Sequence, residues 1–206
     1  MKKMFRFFTI AALAFGMTMA VGCGKPDDGE DNGGGNGGGG NTENLPTTLD
    51  VPFTDGVIPG NWTNIDADGD GYMWCNYVIN GQTFEPIEQE CILSASYENG
   101  VGALTPDNYL VSPKIYIEDG ATLSYTVGAI DDNYYREHYT VYLGVVENGT
   151  FKPSATLKSE TLTTANDTDK SIDLSQYKGQ SVQIAFRHHD VTDEYVMTLK
   201  NVKVTK

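Results

Sequence analysis

The chain has 206 residues, and 28 Asp and Glu against 14 Lys and Arg give it a formal net charge of -14. A chain this acidic lacks the cationic surface on which nucleic-acid binding depends, and an anionic membrane face would repel it. The same charge suits an exported protein and divalent cations.

In chain order, residues 1–22 read as a targeting leader. Lys2, Lys3 and Arg6 form a basic head, and Phe7 to Val21 is an apolar run too short and too N-terminal for an ordinary membrane span. It ends in Ala20-Val21-Gly22-Cys23, and small residues before a single Cys resemble a bacterial lipobox. That resemblance implies cleavage before Cys23 and acylation of the new terminus, and several acyl chains anchor a protein firmly. Residues 23–44 read as a tether. Lys25 followed by Asp27, Asp28, Glu30 and Asp31 resembles the export signal of Bacteroidetes-type lipoproteins. Such a signal implies an outer-membrane protein facing the cell exterior; a solvated charge run is the plainer reading. Asn32 to Asn44 is nearly all Gly and Asn and cannot bury a core.

Residues 45–206 are long enough for one domain with a real core. Near its start lies Asp66-Ala67-Asp68-Gly69-Asp70-Gly71-Tyr72. Carboxylates at alternate positions of a tight loop can converge on a hard cation, and Ca²⁺ takes about six to eight oxygens. Gly71 permits the sharp turn at the sixth loop position, and the Tyr72 carbonyl can add an oxygen. The loop is not a full EF-hand, because the twelfth position holds Tyr77 rather than Glu and no helical pattern flanks it. Further ligands must come from elsewhere, so Ca²⁺ would tie distant strands together. An ordinary acidic turn is the bland alternative.

Strand signals follow, and helical periodicity is absent. Tyr109 to Ile117 is β-rich, with Pro113 marking an edge or bulge. Thr122 to Ile130 nearly alternates. His138 to Val146 runs into Asn148-Gly149, a hairpin turn leading to Phe151. Leu157 to Thr163 and Lys170 to Leu174 are shorter, Ser181 to His188 alternates, and Tyr195 to Val204 closes the series with a strand that should pair in a sheet. Strands so spaced, with Gly, Asn and Pro between them, predict an all-β sandwich. Of the three cysteines, Cys75 and Cys91 remain once Cys23 is assigned to lipid. An even pair in an oxidising compartment fits a disulfide, and two separate buried thiols fit as well.

Several blocks together carry a family resemblance. Phe53, Ile58-Pro59-Gly60-Asn61-Trp62 and the Asp loop are followed by Pro106-Asp107-Asn108-Tyr109-Leu110-Val111-Ser112-Pro113, Glu137-His138-Tyr139-Thr140-Val141-Tyr142 and Ile184-Ala185-Phe186-Arg187-His188. In this order they resemble the cleaved-adhesin family, the haemagglutinin/adhesin modules of gingipain-type surface proteins. The resemblance implies a jelly-roll β-sandwich of galactose-binding-like type, with calcium buttressing its loops. It carries Asp66, Asp68, Asp70 and the Tyr72 carbonyl over as ion ligands. The family's last strand ends in Leu-Asp-Asp-Val/Ile, whereas this chain has Leu199-Lys200-Asn201-Val202. Ligation from that strand would rest on Asn201, and Asp55 and Asp107 are further candidates.

Glu137, His138, Arg187, His188, His189 and Asp190 could be mistaken for a catalytic set. No nucleophile-elbow context accompanies them. His188 and His189 point to opposite faces of a strand, and a structural His138–His188 pair is the expectation. Trp74 is either core or a contact ring. Tyr134 and Tyr135 lie in a polar loop and either contact a ligand or cover the end of the sandwich. The sequence thus reads as a non-enzymatic, lipid-anchored, calcium-stabilised surface module that binds a host or neighbouring-cell protein or a glycan. Rival readings are a carbohydrate-binding accessory to glycan degradation, a structural surface subunit, and a hydrolase on the same scaffold.

Overall fold

The computed structural model describes residues 44–206 apart from 54–55, 76, 81–82 and 87–90, and it describes no side chain within 76–90. The leader, the lipidation residue Cys23, the tether and the candidate ligand Asp55 lie outside the described residues.

Two antiparallel sheets face each other. In the first, β1 (Leu49–Val51) pairs with β15 (Val196–Thr205), which pairs with β10 (Thr122–Ala129), which pairs with β13 (Thr168–Asp173). A further strand, β5 (Ile92–Ala95), lies on the same edge of β15 as β1: β15 meets β5 through Val196–Leu199 and β1 through Val202–Val204. In the second sheet the order is β12 (Thr150–Thr161), β11 (His138–Glu147), β14 (Ser181–His188), β8 (Asn108–Val111) and β2 (Thr63–Asp66), and β9 (Ile115–Tyr116) also pairs with β14. Two small hairpins complete the described strands: β3 (Tyr77–Asn80) with β4 (Thr83–Pro86), and β6 (Tyr97–Glu98) with β7 (Gly102–Ala103).

The alternation in the sequence becomes the core. On β14, Val182, Ile184, Phe186 and His188 face inward, and on β10, Leu123, Tyr125 and Val127 meet them from the opposite sheet. Tyr125 packs edge-on against Phe186 with ring centroids 5.1 Å apart, an arrangement the ring quadrupoles favour. Strand β15 departs from strict alternation, because Leu199 and Val202 are three residues apart and both fully buried. A bulge reconciles them. The register against β10 slips between Ser124 and Thr126, and Asn201 adopts φ 54° at the slip. The expected hairpin forms at Asn148-Gly149, whose φ values of 50° and 76° fit the twist-matched two-residue turn. Tyr109 to Ile117 divides into β8 and β9 at Ser112-Pro113, because Pro113 cannot donate to a ladder.

Candidate binding cleft and cation sites

One end of the sandwich carries a buried polar network. His188 is fully buried; its Nδ1 lies 2.8 Å from Ser94 Oγ and its Nε2 lies 2.9 Å from Glu137 Oε2. Glu137 is also fully buried, and its Oε1 accepts from Ser96 Oγ and from the Tyr195 main-chain N–H, each at 2.9 Å. Ser94 Oγ in turn accepts from Asn108 Nδ2 at 3.2 Å. A Ser–His–Glu chain invites a catalytic reading. Ser94 is only 1 % exposed, however, and a nucleophile must reach its substrate. The network instead ties three segments together. Ser96 N–H donates to the Tyr195 carbonyl at 2.9 Å, Asp193 N–H donates to the Ser96 carbonyl at 3.1 Å, and Arg136 Nε donates to Glu194 at 3.1 Å.

These segments, around residues 97–99, 131–136 and 193–195, enclose a cleft of about 500 Å³. Tyr97, Tyr134 and Tyr195 supply rings, Asn99 an amide, and Asp131, Asp193 and Glu194 carboxylates. Asp131 Oδ1 accepts from the Asn133 and Tyr134 amides at 2.7 and 3.2 Å, an Asx turn that presents Tyr134 at 54 % exposure. Tyr134 therefore lines the cleft with an exposed ring. Tyr135 is half-buried and does not line the cleft. Trp74 is 1 % exposed and donates Nε1–H to the Asn108 carbonyl at 3.1 Å, so it is core and not a contact ring.

The Asp loop follows β2. Carboxylate oxygens of Asp66, Asp68 and Asp70 lie within 4.8 Å of one another. Asp66 accepts from Gly69 and Gly71 amides at 2.7 and 2.8 Å, and Asp70 accepts from the Tyr72 amide at 2.7 Å. Gly71 has φ 88°, so the turn needs glycine there. Partial burial, the hydrogen bond shared with Asp66 and the Asp70 charge push the Asp68 carboxyl up to about 6. Burial acts the same way on Asp66, but the Gly71 and Gly69 amides outweigh it and hold that carboxyl below the usual range. Like charges so close fit a cation.

Two candidate ligands fall elsewhere. The Asp107 carboxylate makes a bidentate pair with Arg187, Oδ1 at 2.6 Å from Nε and Oδ2 at 2.8 Å from Nη2, so only the Asp107 main chain reaches Asp68. Asn201 sits at the β15 bulge in the other sheet and donates to Thr126 Oγ1 at 3.4 Å. Nor are Cys75 and Cys91 joined by a disulfide. Cys75 sits opposite Leu93 across an antiparallel bridge, which leaves Cys91 diagonal to it, and a disulfide needs closer Cα atoms than a diagonal gives. Cys91 packs with Leu93 and Val196, and burial pushes its thiol up to about 11.

His138 does not meet His188 as expected. The β11–β14 register pairs Tyr139 with His188, and the His138 ring stands edge-on to His189 at 5.2 Å. Burial and the neighbouring Arg187 hold the His189 imidazole below its usual value, although Asp190 opposes them.

Residues 47–204 match the Cleaved Adhesin Domain family. The chain belongs to the cleaved adhesin domain family. It is 36 % identical over 173 residues to Hemagglutinin A of Porphyromonas gingivalis, a match that covers 77 % of this chain and 8 % of that protein. Gingipain R1 of the same species is 33 % identical over 178 residues, covering 77 % of this chain and 10 % of its own length. This cleaved adhesin domain therefore spans a small part of the curated relatives it matches. Among solved structures, the K3 cleaved adhesin domain of P. gingivalis Lys-gingipain aligns with TM-score 0.65 and 34 % identity, over 76 % of this chain and 97 % of that one. The K1 domain aligns with TM-score 0.64 and 34 % identity, over 77 % and 98 %. These likenesses bear out the β-sandwich read from the strand pattern and the jelly roll that the family resemblance implied.

Proposed function

We propose that this cleaved adhesin domain is a non-catalytic, calcium-stabilised binding module, held on the outer face of an outer membrane by lipid on Cys23, and that it recognises glycans through the tyrosine cleft. The cleft carries the reading. A pyranose presents apolar C–H faces and a rim of hydroxyls. Tyr97, Tyr134 and Tyr195 offer rings to the faces, and Asn99 with Asp131 and Asp193 offers partners to the hydroxyls. Asp66, Asp68, Asp70 and the Tyr72 carbonyl would hold the calcium. It would supply charge neutralisation that locks the turn after β2. A protein partner is the second reading, favoured by the exposed ring of Tyr134 beside three carboxylates, which suits a cationic surface.

The test is a glycan array probed with the chain in calcium and again in chelator. The expected result is a defined set of saccharides bound in calcium, weakened in chelator and lost in Tyr134→Ala. Tyr134→Ala binding the same saccharides with unchanged affinity would remove the cleft from the account.

A further inference from the structure

Beside the binding cleft lies a second, more open one of about 610 Å³, whose wall includes His189, Asp190 and the Arg187–Asp107 pair. One ligand atom each from His138, His189 and Asp190 lies within 4.8 Å of the other two. None of the three serves the tyrosine cleft or the Asp loop. His189 Nε2 lies 2.9 Å from Thr140 Oγ1, and Thr140 gives its own proton to Ser159 Oγ at 2.9 Å. His189 Nδ1 lies 2.9 Å from Asp190 Oδ2, so the ring stands between a hydroxyl on one nitrogen and a carboxylate on the other. The residue is 5 % exposed, and the Asp190 carboxylate is the charged group its ring meets directly. A metal ion can replace the proton in such an imidazole–carboxylate contact, with the His138 ring close enough to add a second nitrogen.

We infer that His138, His189 and Asp190 form a binding site for a divalent late-transition-metal ion, with zinc as its representative, separate from the Asp66–Asp68–Asp70 loop. Two imidazoles and one carboxylate suit such an ion and not calcium, which prefers oxygen. The second sphere is in place. Thr140 receives His189 Nε2–H, and Thr161 Oγ1 lies 2.9 Å from His138 Nδ1, the kind of outer hydrogen bond that fixes a ligating ring. Tetrahedral zinc at about 2.0–2.1 Å from nitrogen needs ligand atoms about 3.3 Å apart. The side chain of Asp190 is 79 % exposed and can move to close that gap. His138 Nε2 lies 3.3 Å from Ser159 Oγ, a long contact that the metal would displace. Arg187 would repel a cation, but the bidentate Asp107 cancels its charge. With three protein ligands the fourth position opens to the cleft, as in zinc sites that keep a water or accept a donor from a bound molecule.

The experiment titrates the full chain with zinc chloride near neutral pH, in excess calcium so that the Asp loop is occupied. One zinc site is expected. Cobalt in place of zinc should give the strong visible absorption of a tetrahedral site. His189→Gln should weaken zinc by more than about 100-fold, and Thr140→Val, which removes only the outer hydroxyl, by about 10–100-fold. Asp68→Asn should leave zinc affinity unchanged. Where melting shows that His189→Gln does not fold, Asp190→Asn and His138→Gln carry the test. No zinc binding in excess calcium overturns the inference. So does zinc binding that survives all three ligand substitutions, or that is lost in Asp68→Asn.

Discussion

His188 and His189 are neighbours at the end of one strand, and their side chains face opposite ways. His188 is fully buried with a partner on each ring nitrogen, Ser94 on one and Glu137 on the other. His189 is nearly as buried, with Thr140 on Nε2, but its Nδ1 faces Asp190, whose side chain is 79 % exposed. The first histidine fixes shape. Its partner Glu137 also takes Ser96 and the Tyr195 amide, and so holds the walls of the tyrosine cleft. The second meets a carboxylate at the surface, where an ion from solvent can reach it. Burial of the ring alone does not separate the two histidines; the burial of the carboxylate each one meets does.

Substitution should break the comparison most sharply at His188. His188→Ala strands Glu137 and Ser94 without solvent and leaves a cavity, and should cost about 3–5 kcal/mol in urea unfolding. His189→Ala also leaves a cavity, but Thr140 keeps its bond to Ser159 and Asp190 stays in solvent, so it should cost less, about 1–2 kcal/mol. Equal losses at the two positions would end the distinction.

Calcium is the next largest effect. The Asp loop crowds three carboxylates within 4.8 Å, so a bound ion should stabilise the fold by mass action, about 2.7 kcal/mol at a hundredfold excess over Kd. Differential scanning calorimetry in calcium and in chelator measures it; an unchanged Tm would contradict the assignment. The pH direction is fixed as well. The Asp68 carboxyl stands at about 6 in the folded chain against an ordinary 3.8. Without metal, ionising it disfavours the fold, so stability falls as pH rises from about 4 through about 6. Calcium needs the ionised form, so its affinity should rise across the same window. Calcium affinity that is flat from pH 5 to 7 would refute that linkage.

Local features were legible in the sequence. Ser181 to His188 forms a strand with the bounds its alternation gave, Asn148-Gly149 makes its hairpin, and the three aspartates converge. What could not be read was pairing across the fold. Ser94 lies 94 residues from His188, and nothing local announces that they meet. Asp107 looked free to join the Asp loop until the sheet set Arg187 opposite Tyr109, within reach of its carboxylate. His138 missed His188 because the register shifted the match by one residue, and one residue on a strand exchanges faces. The cleft draws its rings from three segments far apart in the chain, so Tyr97 and Tyr195 carried no signal of their own.

The central claim is that ligand enters between Tyr97, Tyr134 and Tyr195. Amide NMR of the calcium-loaded chain, titrated with a saccharide that the array selects, tests it most directly. The account predicts shifts concentrated in residues 97–99, 131–136 and 193–195, and none beyond them except in the buried Glu137–His188 network behind. Shifts centred on the β12 edge or on the outer face of the opposite sheet, with these residues unmoved, would contradict it.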